Sequence, residues 1–344
     1  MYSFIDGLHY LSESNRRIVI LGKTGVGKSS LANTIFREEM FQIGHTVNSE
    51  TIKCQAGTES VNERSITLID TPGFFDTNKS EDEMKREIVR CITECAPGPH
   101  AFLIVFKVEK FTEQEQAVVN KINKYFSEEA FKYATVVFTH GDQLKEGQTI
   151  EDFVHQNEKE NKLFSDLMKK CGGRCHVIDN KYWNQNPNHE YRSNQFQVQE
   201  LLKTIEKMVM ENSCYTNKNL QAVEEEIKQE EEKIRYQKSS GNMSEKQIRE
   251  QAKANASTNL WVRLAGVGTG VLLGALYGGA EVTRSGHSAL AVVFSAAVGG
   301  MLGGVRGYNA AEGADTPGEA MTTAAGSFMD GVKCASLASY VLKK

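Results

Sequence analysis

Nine residues, Gly22-Lys23-Thr24-Gly25-Val26-Gly27-Lys28-Ser29-Ser30, bring three glycines, a lysine and a hydroxyl together at the spacing G-x-x-x-x-G-K-[ST]. The chemistry this pattern serves is anion capture. Loop and helix N–H groups converge on phosphates, and the dipole of the helix that follows adds to their attraction. Lys28 would reach the β- and γ-phosphates, and the Ser29 hydroxyl would bind Mg2+. A second stretch, Ile66-Thr67-Leu68-Ile69-Asp70-Thr71-Pro72-Gly73, is an apolar run ending in D-T-P-G. Asp70 there suits a carboxylate that supports the magnesium held by Ser29. The Gly73 N–H suits the sensing of a γ-phosphate, an arrangement that releases the following segment after hydrolysis.

Two further stretches say which base the phosphates carry. Val136-Val137-Phe138-Thr139-His140-Gly141-Asp142 ends in T-H-G-D. The Asp142 carboxylate can accept both the N1–H and the exocyclic amine of guanine, a pair that adenine does not offer. His140 stands where a base-reading loop of the form [NT]-K-x-D has lysine, and its imidazole can stack where the lysine stem would lie. In His176-Val177-Ile178-Asp179-Asn180-Lys181, Asn180 can bond the base from its other side. The expected ligands are therefore GTP or GDP with Mg2+, with guanine preferred to adenine.

Regular elements must position these residues. Apolar, β-branched runs predict strands over Ile18–Leu21, Thr51–Ala56, Ser65–Asp70, Ala101–Phe106, Thr135–Thr139 and His176–Ile178. Helical spacing predicts helices over Ser29–Glu38, Ser80–Cys95, Thr112–Phe126, Ile150–Lys170 and Gln195–Met210. Strands alternating with helices imply an α/β fold with parallel strands and helices on both faces. Right-handed crossovers put the loops after the strands on one rim, where ligands bind in open α/β sheets.

The chain of 344 residues has room for one large α/β domain and an appendage, or for two domains. A formal net charge of −4 supplies no global field for nucleic acid or an anionic surface. The seven cysteines lack zinc-finger pairing. Cys91/Cys95 and Cys171/Cys175 each supply half a metal site that no histidine pair completes, so reduced thiols and a cytoplasmic setting are the simpler expectation. Met1 to Asn15 has no basic start followed by a long apolar core, so no secretory signal is expected.

After residue 212 the composition shifts. Lys218 to Lys238 is rich in glutamate, lysine and glutamine, with Leu220, Ile227 and Ile234 recurring every seventh residue. This amphipathic helix either packs back on the domain, pairs with a partner, or is a solvated helix with one apolar stripe. Further on, Leu264 to Ala280 and Ser288 to Val305 are uncharged and rich in glycine and alanine. Gly266, Gly270, Gly274 and Gly278 share one helical face, which lets two backbones approach closely. Each stretch is at the short end of what spans a bilayer. A membrane-inserted hairpin over 264–305 and a soluble close-packed hairpin both fit. In the first case the expected location is the cytosolic face of an organelle membrane.

Gly98-Pro99-His100-Ala101-Phe102-Leu103-Ile104-Val105 followed by Phe111-Thr112-Glu113-Gln114-Glu115-Gln116 makes the resemblance specific. With the P-loop, D-T-P-G, T-H-G-D and Asn180, the chain resembles the GTPases of immunity-associated proteins (GIMAPs). These have the avirulence-induced-gene type of G domain, close to septins and chloroplast import GTPases. The resemblance covers about residues 14–212. It implies a P-loop GTPase three-layer sandwich with a mostly parallel sheet, followed here by a charged helical extension over 213–256 and the glycine-rich region over 257–344. It further implies that Thr51 is a first-switch threonine whose hydroxyl approaches Mg2+, although a plain strand threonine fits the position equally.

The resemblance also bears on turnover. The position after D-T-P-G holds Phe74, which cannot orient water as a glutamine does. The family resembles GTPases whose G domains dimerise across the nucleotide and exchange an arginine. Lys110 occupies the matching position, with the charge but not the planar fork. The expectation is a homodimerising or oligomerising GTP switch with slow hydrolysis. A fast GTPase and a scaffold that holds nucleotide without cycling are the competing expectations.

Overall fold

The structure is a computed structural model that describes residues 15–43, 54–71, 81–183, 190–237 and 243–262, together with 316, 319 and 322–325. Thr51, Gly73, Phe74 and the 264–305 stretch lie outside these residues. Chain contacts divide the protein into two units, Met1–Glu225 and Glu226–Lys344.

The first unit is built on a six-stranded sheet. In chain order its elements are β1 (Arg16–Leu21), α1 (Lys28–Phe36), β2 (Gln55–Val61), β3 (Arg64–Asp70), α2 (Glu81–Cys95), β4 (Ala101–Lys107), α3 (Glu113–Phe126), β5 (Ala134–Thr139), α4 (Ile150–Glu160), α5 (Lys162–Lys170), β6 (Cys175–Val177), α6 (Asn194–Asn212) and the start of α7 (Lys218–Gln237). The strand order is β2-β3-β1-β4-β5-β6. Every pairing is parallel except that of β2 with β3.

The continuous apolar runs of the central strands follow from burial on both faces. In β1, Val19 and Leu21 join one core while Ile18 and Ile20 join the other. In β4, Phe102, Ile104 and Phe106 face the first core, and Leu103 and Val105 the second. This period of two, doubled across the sheet, leaves nearly no polar position in the strands that carry the rim loops.

Two expected elements come out differently. The strand expected over Thr51–Ala56 is found over Gln55–Val61, running antiparallel to β3 from Gln55↔Asp70 to Val61↔Arg64. It is an edge strand with an alternating pattern, so Thr58, Glu59 and Ser60 are tolerated there and its signal is not apolar. The turn at Asn62-Glu63 has both residues at positive φ, 51° and 64°, which suits a tight hairpin. The helix expected over Ile150–Lys170 is two helices. Asn161 leaves helical geometry (φ −134°, ψ 108°), and its side chain accepts the Phe164 N–H as the cap of α5.

In the second unit, the remainder of α7 and a helix over 245–262 are joined by Arg249–Glu231 (3.0 Å) and Arg235–Glu245 (2.5 Å) ion pairs. The apolar stripe expected on α7 is buried at Ile227 and Ile234, as are Ile248, Ala252 and Ala256 of its neighbour. Among the described residues, no helix is long and apolar enough to cross a membrane.

Candidate functional site

The loop from β1 to α1 takes the shape its glycines permit. Gly25 and Gly27 have φ of 76° and 89°, the left-handed region that costs other residues about 1–2 kcal/mol. Gly27 precedes the first residue of α1, so the helix opens directly on this turn. Lys28 is buried and its Nζ donates to the Lys23 carbonyl at 3.0 Å, folding the lysine back over the loop. The Ser29 hydroxyl donates to Asp70 Oδ2 at 2.6 Å, joining α1 to the tip of β3. Thr71 donates to the Ile20 carbonyl at 2.7 Å and locks that tip to β1.

Asp70 is fully buried, and burial pushes its carboxyl above the ordinary carboxylate value against the opposing pull of Ser29 and Lys28. Its Oδ1 is buried and has no hydrogen-bond partner among the described residues. A buried carboxylate oxygen without a donor is costly, and a hydrated divalent cation beside Ser29 would supply the missing positive charge. The residues therefore fit Mg2+. Among the described residues, no group of three or more His, Cys, Asp or Glu side chains forms a metal site of its own. Cys91 and Cys95 are buried with Sγ atoms 3.9 Å apart. Burial raises the thiols of Cys171 and Cys175 to about 12.

Thr139 fastens the T-H-G-D segment to the P-loop, its hydroxyl donating to the Val26 carbonyl at 2.7 Å. The next residue, His140, is left-handed (φ 61°), and its Nδ1 lies 3.0 Å from Thr139 Oγ1. Gly141 donates to the Ile178 carbonyl at 3.2 Å, so the loop is sewn to the end of β6. A Cβ at Gly141 would fall 2.7 Å from the Trp183 indole, which explains the glycine. Asn180 stands beside the P-loop, where a Cβ on Gly27 would meet its Nδ2 at 2.8 Å. Its Oδ1 is 3.4 Å from the Thr34 hydroxyl of α1.

Asp179, overlooked in sequence, organises this corner. It is 1% exposed. One carboxylate oxygen accepts the Asp142 N–H at 3.2 Å; the other accepts the N–H groups of Lys181 at 2.9 Å, of Tyr182, and of Trp183 at 3.4 Å. The Asn194 side chain clamps its backbone from α6, accepting the Asp179 N–H at 3.0 Å and donating to its carbonyl at 2.5 Å. Burial opposes the charge on Asp179, but the Tyr182 N–H, the Asp142 carboxyl and the Lys181 N–H hold it below its ordinary value. Asp142 moves the other way, pushed up by desolvation and by the facing Asp179 carboxyl.

A cavity of about 640 Å³ opens between the end of α1 and the start of α6. Ser30, Thr34, Arg37, Asn180, Trp183 and Asn194 are among its lining residues, while Asp142 is not in its wall. Lys28, Ser29 and Asp70 thus form one cluster, Gly27, Thr34 and Asn180 a second, and Asp142 with Asp179 a third. Lys23 turns its side chain away, its Nζ 2.6 Å from Glu115 and 3.3 Å from Gln114 on α3. Lys110 is in none of these clusters; it lies exposed in the loop from β4 to α3.

A family model described as the AIG1 family matches residues 16–238. Immune-associated nucleotide-binding protein 9 of Arabidopsis thaliana is 32% identical over 212 residues, 60% of this chain and 60% of that protein. GTPase IMAP family member 8 of Rattus norvegicus is 33% identical over 168 residues, 48% of this chain and 24% of that protein. The crystal structure of Toc33 from Arabidopsis thaliana in complex with GDP and Mg2+ aligns with a TM-score of 0.48 and 19% identity, covering 62% of this chain and 91% of that one.

Proposed function

Because the chain belongs to the AIG1 family and carries its GTP-binding G domain, we propose that it is a GTP-dependent switch: it binds GTP or GDP with Mg2+, pairs with a second copy through the G domain when loaded, and hydrolyses GTP slowly. The observation that carries the reading is the Ser29–Asp70 hydrogen bond with Asp70 Oδ1 left unpartnered at the mouth of a P-loop.

In this reading the loop N–H groups of 22–30 and Lys28 take the phosphates, and Gly73 senses the γ-phosphate. Mg2+ would be held by Ser29, with Thr51 in the GTP state and Asp70 behind it; when bound it neutralises phosphate charge. Asp142 and Asn180 read guanine, with His140 against the base.

Slow turnover follows from two residues. Phe74 cannot orient a water, and Lys110, exposed in its loop, offers charge without a bidentate fork to a neighbouring subunit. An arginine in such a role is worth about 10³–10⁵ in rate, so a lysine leaves most of that unused. Nucleotide state then governs assembly more than flux. The 264–305 stretch is proposed as the contact with a membrane, with the G domain on its cytosolic side.

Single-turnover GTP hydrolysis over a protein concentration series tests the reading. The rate should be low at nanomolar protein, rise with concentration, and lose that rise in Lys110→Ala. Fast, concentration-independent hydrolysis would favour an efficient GTPase. Protein that always purifies with one nucleotide and never exchanges it would favour a static scaffold.

A further inference from the structure

The base-reading aspartate does not hold its own position. Asp142 belongs to a short turn after β5, and the contact that fixes it comes from 37 residues away, where Asp179 Oδ2 accepts its N–H. Asp179 is in turn over-determined: three more backbone N–H groups converge on its other oxygen, and Asn194 grips its N–H and its carbonyl. The same residue precedes Asn180, the second base-reading side chain. One buried carboxylate therefore sets the separation between the two groups that would hold opposite edges of a purine. A group that touches no ligand yet fixes those that do acts on selectivity.

We infer that Asp179, clamped by Asn194, is the positioning residue for guanine selectivity, holding Asp142 to the edge that carries N1–H and the 2-amino group. This rests on the guanine reading of Asp142 proposed above. The carboxyl facing Asp142 has a second effect. Guanine needs Asp142 ionised, whereas desolvation and Asp179 favour its protonated form. The other charged groups facing Asp142 are His140 on its own turn and Lys181 on the Asp179 loop, and both favour ionisation. Guanine binding should therefore weaken as pH falls through the raised Asp142 value, and a neutral residue at 179 should move that weakening to lower pH.

The test is competition of GDP and inosine diphosphate, which lacks the 2-amino group, against a fluorescent GDP analogue in Mg2+. Wild type should prefer GDP by about tenfold or more, the usual worth of a charge-assisted hydrogen bond. In Asp179→Ala the preference should fall at least threefold, while competition by inorganic pyrophosphate stays unchanged. A loss of folded protein would scale all three competitors equally and leave the ratio where it was. Asp179→Asn has one acceptor oxygen and a donating amide, so with the loop N–H groups kept it loses the acceptor for the Asp142 N–H; its preference should also fall at neutral pH, and its acid weakening should be displaced to lower pH. An unchanged ratio in Asp179→Ala together with an unchanged pH profile in Asp179→Asn would overturn the inference. Should Asp179→Ala not fold, the profile of Asp179→Asn decides alone. If wild type shows no GDP preference, or Asp142→Ala retains it, the guanine reading of Asp142 itself fails.

Discussion

Replacing Asp70 by asparagine separates what a residue costs the fold from what it gives the ligand. Asp70 is fully buried, its Oδ2 accepts the Ser29 hydroxyl at 2.6 Å, and its Oδ1 has no partner among the described residues. Burial raises its carboxyl above the ordinary 3.8, with Ser29 and Lys28 opposing. The sign follows: stability from a group with a raised folded value is full below its unfolded value and is lost as pH rises through the folded one. At pH 7 the ligand-free protein therefore bears the cost of an ionised, half-satisfied carboxylate. Asparagine keeps an oxygen for Ser29 and removes the charge, leaving a neutral N–H2 whose desolvation is smaller. The difference is about 1–2 kcal/mol in favour of the variant. For a domain of this size that is a rise in Tm of about 2–8 °C.

The same change should remove most of the Mg2+ effect on nucleotide. A group one step behind a metal ligand is typically worth about 10–100-fold in metal affinity, so the gain in GDP affinity on adding Mg2+ should shrink by about tenfold. Thermal melts without nucleotide or metal, and GDP titrations with and without Mg2+, read the two effects separately. A less stable ligand-free variant would refute the account of Asp70 burial. A variant that keeps the wild-type Mg2+ dependence would refute its place behind the metal.

Other substitutions probe the frame around this site. Gly25→Ala and Gly27→Ala both place a side chain at positive φ and should each cost about 1–2 kcal/mol in denaturant unfolding. Among the described residues only the second meets a neighbour, Asn180 Nδ2 at 2.8 Å, so Gly27→Ala should also loosen GDP against pyrophosphate. Glu206 joins Arg16 (3.1 Å) and Arg64 across the sheet; burial opposes its charge, but the hydrogen bonds and charge of the two arginines hold its carboxyl below the ordinary 4.5. Its contribution is present above that value and is lost as pH falls through the folded one. Glu206→Ala should destabilise by about 1–3 kcal/mol at pH 7 through loss of its charge-assisted contacts to Arg16 and Arg64, and the penalty should narrow as melts are taken to acid pH.

What the sequence made legible was local. The P-loop announces itself because strand, turn and helix are consecutive and the motif's glycines stand at 22 and 27, while Gly25 and Gly27 take the left-handed turns. The central strands were visible because burial on both faces leaves few polar positions. β2 was misplaced because an edge strand buries one face only, and Thr58, Glu59 and Ser60 read as loop. Asn161 breaks a helix whose apolar period continues through it, and its extended backbone and capping bond to Phe164 show the break. Asp179, Asn194 and Trp183 escaped for a different reason. Each acts on a residue 15 to 42 positions away, Asp179 on Asp142, Asn194 on Asp179 and Trp183 on Gly141, and no period or motif encodes such a pairing. Asp179 stands directly before a residue already singled out, and its neighbour Asn180 was the available clue.

The cap of α3 has a consequence in terms of entropy. Glu115 takes three partners at once: the N–H and hydroxyl of Thr112, and the Lys23 ammonium from the P-loop. Thr112 is two residues from the exposed Lys110, so the cap fixes the start of α3 just after that lysine. In the proposed pairing of two G domains, a cation reaching into the second molecule would lose less backbone freedom on arrival if its root were already fixed. Lys23 pairs with this cap, and in the proposed reading Lys28 is the P-loop lysine that takes the phosphates. Were two subunits to pair in the proposed way, part of the ordering at the start of α3 would already be in place within each one.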